Sequence, residues 1–136
     1  QGLVADADHQ VLNGVEVEDT VHVIARHGPV MASYTLNQHQ AANETRLQVV
    51  CERGVVRLEA DKQCWKSMVT PGSDWTLESQ VSLERDDLFI RQANMFLDAV
   101  AGKGPVLCTL AEGRETLRAN LAILQSVNQG FDRFAY

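Results

Sequence analysis

Cysteine is scarce in this chain, and basic residues are outnumbered by acidic ones. Three cysteines, Cys51, Cys64 and Cys108, stand far apart in 136 residues. A secreted disulfide framework needs an even, denser set, so a reducing cytoplasm is the compartment expected. No C-x-x-C occurs, which removes one common zinc and redox spacing. Twelve Lys and Arg against 18 Asp and Glu give a net charge of −6. No nucleic acid is expected as a partner, because a phosphate-binding surface needs clustered cations and none occurs here. No apolar run approaches the roughly 20 residues of a membrane span, and no cationic leader with an apolar core opens the chain, so no membrane is expected either.

The common cofactor and nucleophile motifs are also missing. The only closely spaced glycines are Gly102-Lys103-Gly104, and the third glycine of a dinucleotide fingerprint would fall at Leu107. That pair follows a helical pattern, whereas the fingerprint must join a strand to a helix. It reads as a helix stop. Neither G-x-x-x-x-G-K nor G-x-S-x-G is present. Of the four histidines, His22 and His27 have opposite parity and His39 has only amides beside it, so no metal site is expected. The acids at Asp6/Asp8, Glu16/Glu18/Asp19 and Asp86/Asp87 suit turns and a helix start. Trp65 and Trp75 read as core or interface anchors. No catalytic residue and no cofactor-binding residue is identified in this chain.

What is present reads as a single globular domain over residues 1–136, with 45% hydrophobic and 22% charged residues. Up to about residue 84 the pattern is one of short alternating runs. In VEVEDTVHVIARHGP, Val15, Val17, Val21, Val23 and Ala25 share one parity, the mark of a strand with one buried face. His27-Gly28-Pro29 turns the chain into VMASYTLN, where Val30, Ala32, Tyr34 and Leu36 alternate. ETRLQVVCERG groups Thr45, Leu47, Val49 and Cys51, and Arg53-Gly54 reads as a tight hairpin turn into VVRLEADKQCWKSMV. After Pro71-Gly72-Ser73, WTLESQVSL alternates again. The period then changes. Phe89, Ala93, Phe96, Leu97 and Val100 form the stripe of an amphipathic helix, started by Asp86-Asp87 and stopped by Gly102, Gly104 and Pro105. TLAE at Thr109–Glu112 is a capping box opening a second helix, with Leu117, Leu121 and Leu124 as its stripe and Gly130 as its stop. Strands followed by helices predict an α+β fold: one open-faced, mainly antiparallel sheet with helices packed on one face.

This order of elements resembles the C-terminal domain of the Gfo/Idh/MocA oxidoreductases, the glucose–fructose oxidoreductase and inositol dehydrogenase family. The resemblance runs from about Val15 to Gly130. It is carried by Glu18-Asp19-Thr20 entering a strand, the hairpin glycine Gly54, FLDAV at Phe96–Val100, and Ser126 with Gly130 closing the last helix. Cys51 departs from the glycine often found there. The resemblance implies a parent enzyme with an N-terminal Rossmann domain that binds NAD or NADP, absent from this chain. The sheet domain would complete a cleft for a sugar, polyol or related small molecule and build a homo-oligomer through its open face. The family's Glu-Lys-Pro motif and its catalytic Asp and His have no counterpart here; Asp6-x-x-His9 has the wrong spacing. Without a nicotinamide site the chain alone is expected to be inactive. The alternative is an autonomous, non-catalytic dimerisation or protein-interaction module.

One stretch, NQHQAAN at Asn37–Asn43, stands out between two strand patterns because it holds amides and a histidine and nothing apolar larger than alanine. One reading is a polar hairpin on the uncovered sheet face. The other, implied by the resemblance, is that Asn37, His39 and Gln40 line a substrate cleft or a subunit interface. Amides and imidazole suit polyols because they offer both donors and acceptors to hydroxyls.

Overall fold

The computed structural model describes residues 2–130. Among them the chain forms β1 (Gly2–Asp8), β2 (Thr20–His27), β3 (Val30–Asn37), β4 (Arg46–Cys51), β5 (Gly54–Glu59), β6 (Cys64–Met68), β7 (Thr76–Gln80), α1 (Asp87–Val100) and α2 (Leu110–Gln129). Strands precede helices and every strand pairing is antiparallel, so the α+β class holds. The strands are divided between two sheets, β1-β2-β3 and β4-β5-β6-β7. The chain accordingly forms two compact units, Gln1–Ala41 with Cys108–Tyr136, and Ala42–Leu107.

In the first unit, β1 is a strand that was not expected from the sequence. Its inward residues are Leu3, Ala5 and Ala7, and alanine gives little alternation signal. Ala5 lies opposite Val23, and Val23 opposite Tyr34. Ala5, Val23 and Ala25 are buried, and Ile123 and Val127 of α2 pack on them. The expected leucine stripe is not the buried side of α2. Leu117, Leu121 and Leu124 are 47–56% exposed. The Ser126 hydroxyl explains part of this rotation, since it accepts the Ala5 N–H at 2.9 Å and fixes which side of α2 meets β1. The β2–β3 hairpin turns at Gly28-Pro29, with Gly28 at φ +61°, the left-handed value that two-residue hairpin turns require at their first central position. The capping box of α2 forms as expected: the Thr109 hydroxyl accepts the Glu112 N–H, and the Glu112 carboxylate accepts the Thr109 N–H. Those donors hold the Glu112 carboxyl below its ordinary range.

Residues 15–19 are not part of β2. The strand begins at Thr20, and the preceding segment is a loop wound around the Asp19 side chain. Backbone N–H groups of residues 10–12 are drawn to a carboxylate instead of a ladder, which overrides the Val15/Val17 alternation.

In the second unit the β4–β5 turn is Glu52-Arg53, one residue earlier than expected, with Gly54 already in β5. A Cβ at Gly54 would lie 2.6 Å from the Met68 carbonyl oxygen, and its φ is +149°, so the position needs glycine. Leu47, Val49, Val56, Leu58 and Trp65 share one face of this sheet through directly opposed pairs, and all are 39–56% exposed. Of the three cysteines only Cys64 is buried; Cys51 and Cys108 are exposed rather than packed as small apolar residues. Helix α1 starts and stops as expected, yet Phe89, Phe96, Leu97 and Val100 of its stripe are 62–71% exposed. No helix is long and apolar enough to cross a membrane among the described residues.

Candidate functional site

The polar stretch at Asn37 does not form a hairpin. β3 ends at Asn37, and β4 belongs to the other sheet, so this segment is the connection between the two units. The β2–β3 ladder runs one bond further, to Gln38, and the extended parity that would have aligned Asn37, His39 and Ala41 then ends in a local side-chain bond. The Asn37 side-chain oxygen accepts the His39 N–H at 3.1 Å, and the Gln38 N–H donates to the Asp19 carbonyl at 2.9 Å.

Asp19 is the centre of this end of the first unit. Its side chain is 0% exposed, an unusual state for a carboxylate unless it is fully hydrogen-bonded. It is. Oδ2 accepts the N–H groups of Val11 at 2.9 Å and Leu12 at 3.0 Å, while Oδ1 accepts the Gln10 N–H at 3.0 Å and the Thr20 hydroxyl at 2.9 Å. The Leu12 and Val11 donors foremost, with Gln10 and Thr20 behind them, outweigh burial and hold the Asp19 carboxyl well below the ordinary carboxylate range. The carboxylate is ionised at neutral pH.

One imidazole lies beside Asp19 and another beside Thr20. His9 Nδ1 lies 3.7 Å from Asp19 Oδ2 and 3.1 Å from the Val17 carbonyl oxygen. His39 Nε2 lies 3.4 Å from the Thr20 hydroxyl oxygen. The last rung of the sheet, Asp8–Thr20–Asn37, runs between them. Of the three residues expected at the site, Asn37 and His39 are thus tied to Asp19 and Thr20. Gln40 lies in the same segment and is exposed. Sequence reasoning gave Asp19 only a structural part and did not place His9 here. The available signal was the acid-Thr pair immediately before a strand, but nothing in the preceding residues marks them as the loop it closes.

Such an end offers imidazole, amide and hydroxyl groups beside a fixed negative charge, a set suited to hydroxyl-rich ligands. It holds no thiol and no lysine for covalent chemistry. Among the described residues no group of three or more His, Cys, Asp or Glu could hold a metal ion.

A second charged cluster belongs to the other unit. Glu59, almost fully buried, accepts from Lys66 Nζ at 2.9 Å, with Lys62 Nζ at 3.4 Å. The Lys66 hydrogen bond foremost, then Lys62, bring its carboxyl down to about 2 against the cost of burial. Arg57 donates twice to Gln48 Oε1 and lies 4.0 Å from the Trp75 ring centre. Trp75 is therefore an anchor for a guanidinium. The cluster ties β4, β5 and β6 together.

No family model matches the sequence, and no curated relative does. Solved structures share the fold. One is the "putative oxidoreductase yvaA" of Bacillus subtilis, at a TM-score of 0.67 and 16% identity, over 93% of this chain and 44% of that one. Another is the WlbA dehydrogenase of Bordetella pertussis, in complex with NADH and UDP-GlcNAcA, at a TM-score of 0.61 and 20% identity, over 95% and 38%. The chain spans less than half the length of either.

Proposed function

We propose that this chain is the C-terminal sheet domain of an NAD- or NADP-dependent oxidoreductase acting on a sugar, polyol or related small molecule. The observation that carries the reading is the likeness in fold, over more than nine-tenths of the chain, to two oxidoreductases each more than twice its length. The Gfo/Idh/MocA-type order of strands and helices supports it. Hydride chemistry would then fall to a dinucleotide-binding domain of the parent protein, and Asn37, His39 and Gln40 would contribute to the substrate cleft or to a subunit contact.

The apolar face of β4–β7 favours a homo-oligomer. Leu47, Val49, Val56, Leu58 and Trp65 form a contiguous patch on one side of a sheet, and such a patch calls for cover. The same face supports the second reading, an autonomous module that dimerises or binds another protein without catalysis. The two readings part on one experiment. The complete gene product is assayed for nicotinamide oxidation or reduction with a panel of sugars and polyols, beside its His39→Ala and Gln40→Ala variants. Turnover that rises in KM by about tenfold in a variant, about 1.4 kcal/mol, supports the cleft reading. A gene product that neither binds nor turns over nicotinamide leaves the interaction module.

A further inference from the structure

The buried carboxylate of Asp19 fixes the direction of the hydrogen bonds that run outward from it. An ionised carboxylate can only accept, so the Thr20 hydroxyl, 2.9 Å from Oδ1, commits its single proton to Asp19. Toward anything else the Thr20 oxygen is then an acceptor. The neighbour on that side is His39 Nε2 at 3.4 Å, and the only proton left for the contact is the imidazole's own. We infer that Asp19, acting through Thr20, holds His39 as its Nε2–H tautomer and leaves Nδ1 as an unprotonated acceptor for a ligand hydroxyl. Asp19 and Thr20 are positioning residues; His39 is the group that meets the ligand. The role of His39 as a ligand group rests on the cleft reading given above, while the tautomer rests on the geometry alone.

The backbone supports the same alignment. The Asn37 side-chain oxygen holds the His39 N–H and the Asp19 backbone carbonyl holds the Gln38 N–H, so the residue that carries the ring and its neighbour are each tied once beside the relay. His9 supplies the contrast. Its Nδ1 lies 3.1 Å from a carbonyl oxygen, which cannot donate, so His9 carries its proton on Nδ1. The two histidines are therefore set in opposite tautomers, His9 by a carbonyl and His39 by a hydroxyl.

That opposition makes the test internal. Long-range 1H–15N spectra of the imidazoles are recorded on the neutral rings. The expected wild-type spectrum shows protonated Nε2 and bare Nδ1 for His39, and the reverse for His9. In Thr20→Val the His39 nitrogen shifts draw together toward those of a free imidazole, because the hydroxyl no longer holds a single tautomer. His9 is unchanged in that variant, and Thr20→Ser restores the His39 pattern. A His39 spectrum that is the same in wild type and Thr20→Val overturns the relay, as does a wild-type His39 protonated on Nδ1. Failure of the oxidoreductase reading would appear in the nicotinamide assay and would leave these spectra as they are.

Discussion

The two units solve the same problem, an antiparallel sheet with an apolar face, in different ways. In the first, α2 lies on β1 and β2 and gives Ala5, Val23 and Ala25 an interior. In the second, Cys64 and Glu59 are the buried residues, and the apolar face of β4–β7 is exposed. That sheet is held by its ladder, by one glycine-dependent turn and by the Glu59 cluster. A sheet covered by a helix has a core to lose, whereas an uncovered one has a surface to hide. The difference places a helix-covered core in the first unit and leaves the second with an apolar face open to whatever would cover it.

The comparison can be broken most strongly at Gly54. Gly54→Val places a side chain against the Met68 carbonyl at a φ that only glycine tolerates, and should cost about 3 kcal/mol, read as lost amide protection in β5 and β6 with β1–β3 protection retained. Val23→Ala removes two buried methyl groups and should cost about 2 kcal/mol, with loss of protection in the first unit instead. Thr109→Ala removes the cap of α2 and should lower the thermal midpoint by the equivalent of about 1 kcal/mol. The smallest effect on folding is expected for Leu58→Glu, within about 0.5 kcal/mol because the residue is exposed. The same variant should shift a homo-oligomer toward monomer in sedimentation equilibrium.

Acid sharpens the contrast within the second unit. The folded Glu59 carboxyl is held to about 2 against an ordinary 4.5. A depressed carboxyl contributes stability that is complete above its unfolded value and is lost as pH falls through its folded one. The β5–β6 ladder should therefore lose protection as pH drops from about 4.5 to about 2, and Glu59→Gln should flatten that dependence.

Much of the architecture was legible from periodicity. The β3 and β4 alternations, the limits of α1 and the Thr109–Glu112 capping box lie where local chemistry puts them. What was not legible depended on contacts that no local pattern encodes. β1 escaped because Leu3, Ala5 and Ala7 gain meaning only opposite Ala25, Val23 and Val21. The Val15/Val17 run misled because Asp19 claims the backbone donors of residues 10–12. The leucines of α2 misled because Ser126, Ile123 and Val127 decide which side meets the sheet. At the site, the polar character of Asn37, His39 and Gln40 was readable, but its organiser was not. A buried carboxylate looks in sequence like any other acid.

The central claim is most directly tested by following NADH fluorescence as this chain, and in parallel the complete gene product, are titrated in. No saturable binding is expected for the chain alone, and saturable binding for the complete product. Saturation by the chain alone at micromolar concentrations would contradict it, because residues 1–136 would then hold a nucleotide site of their own.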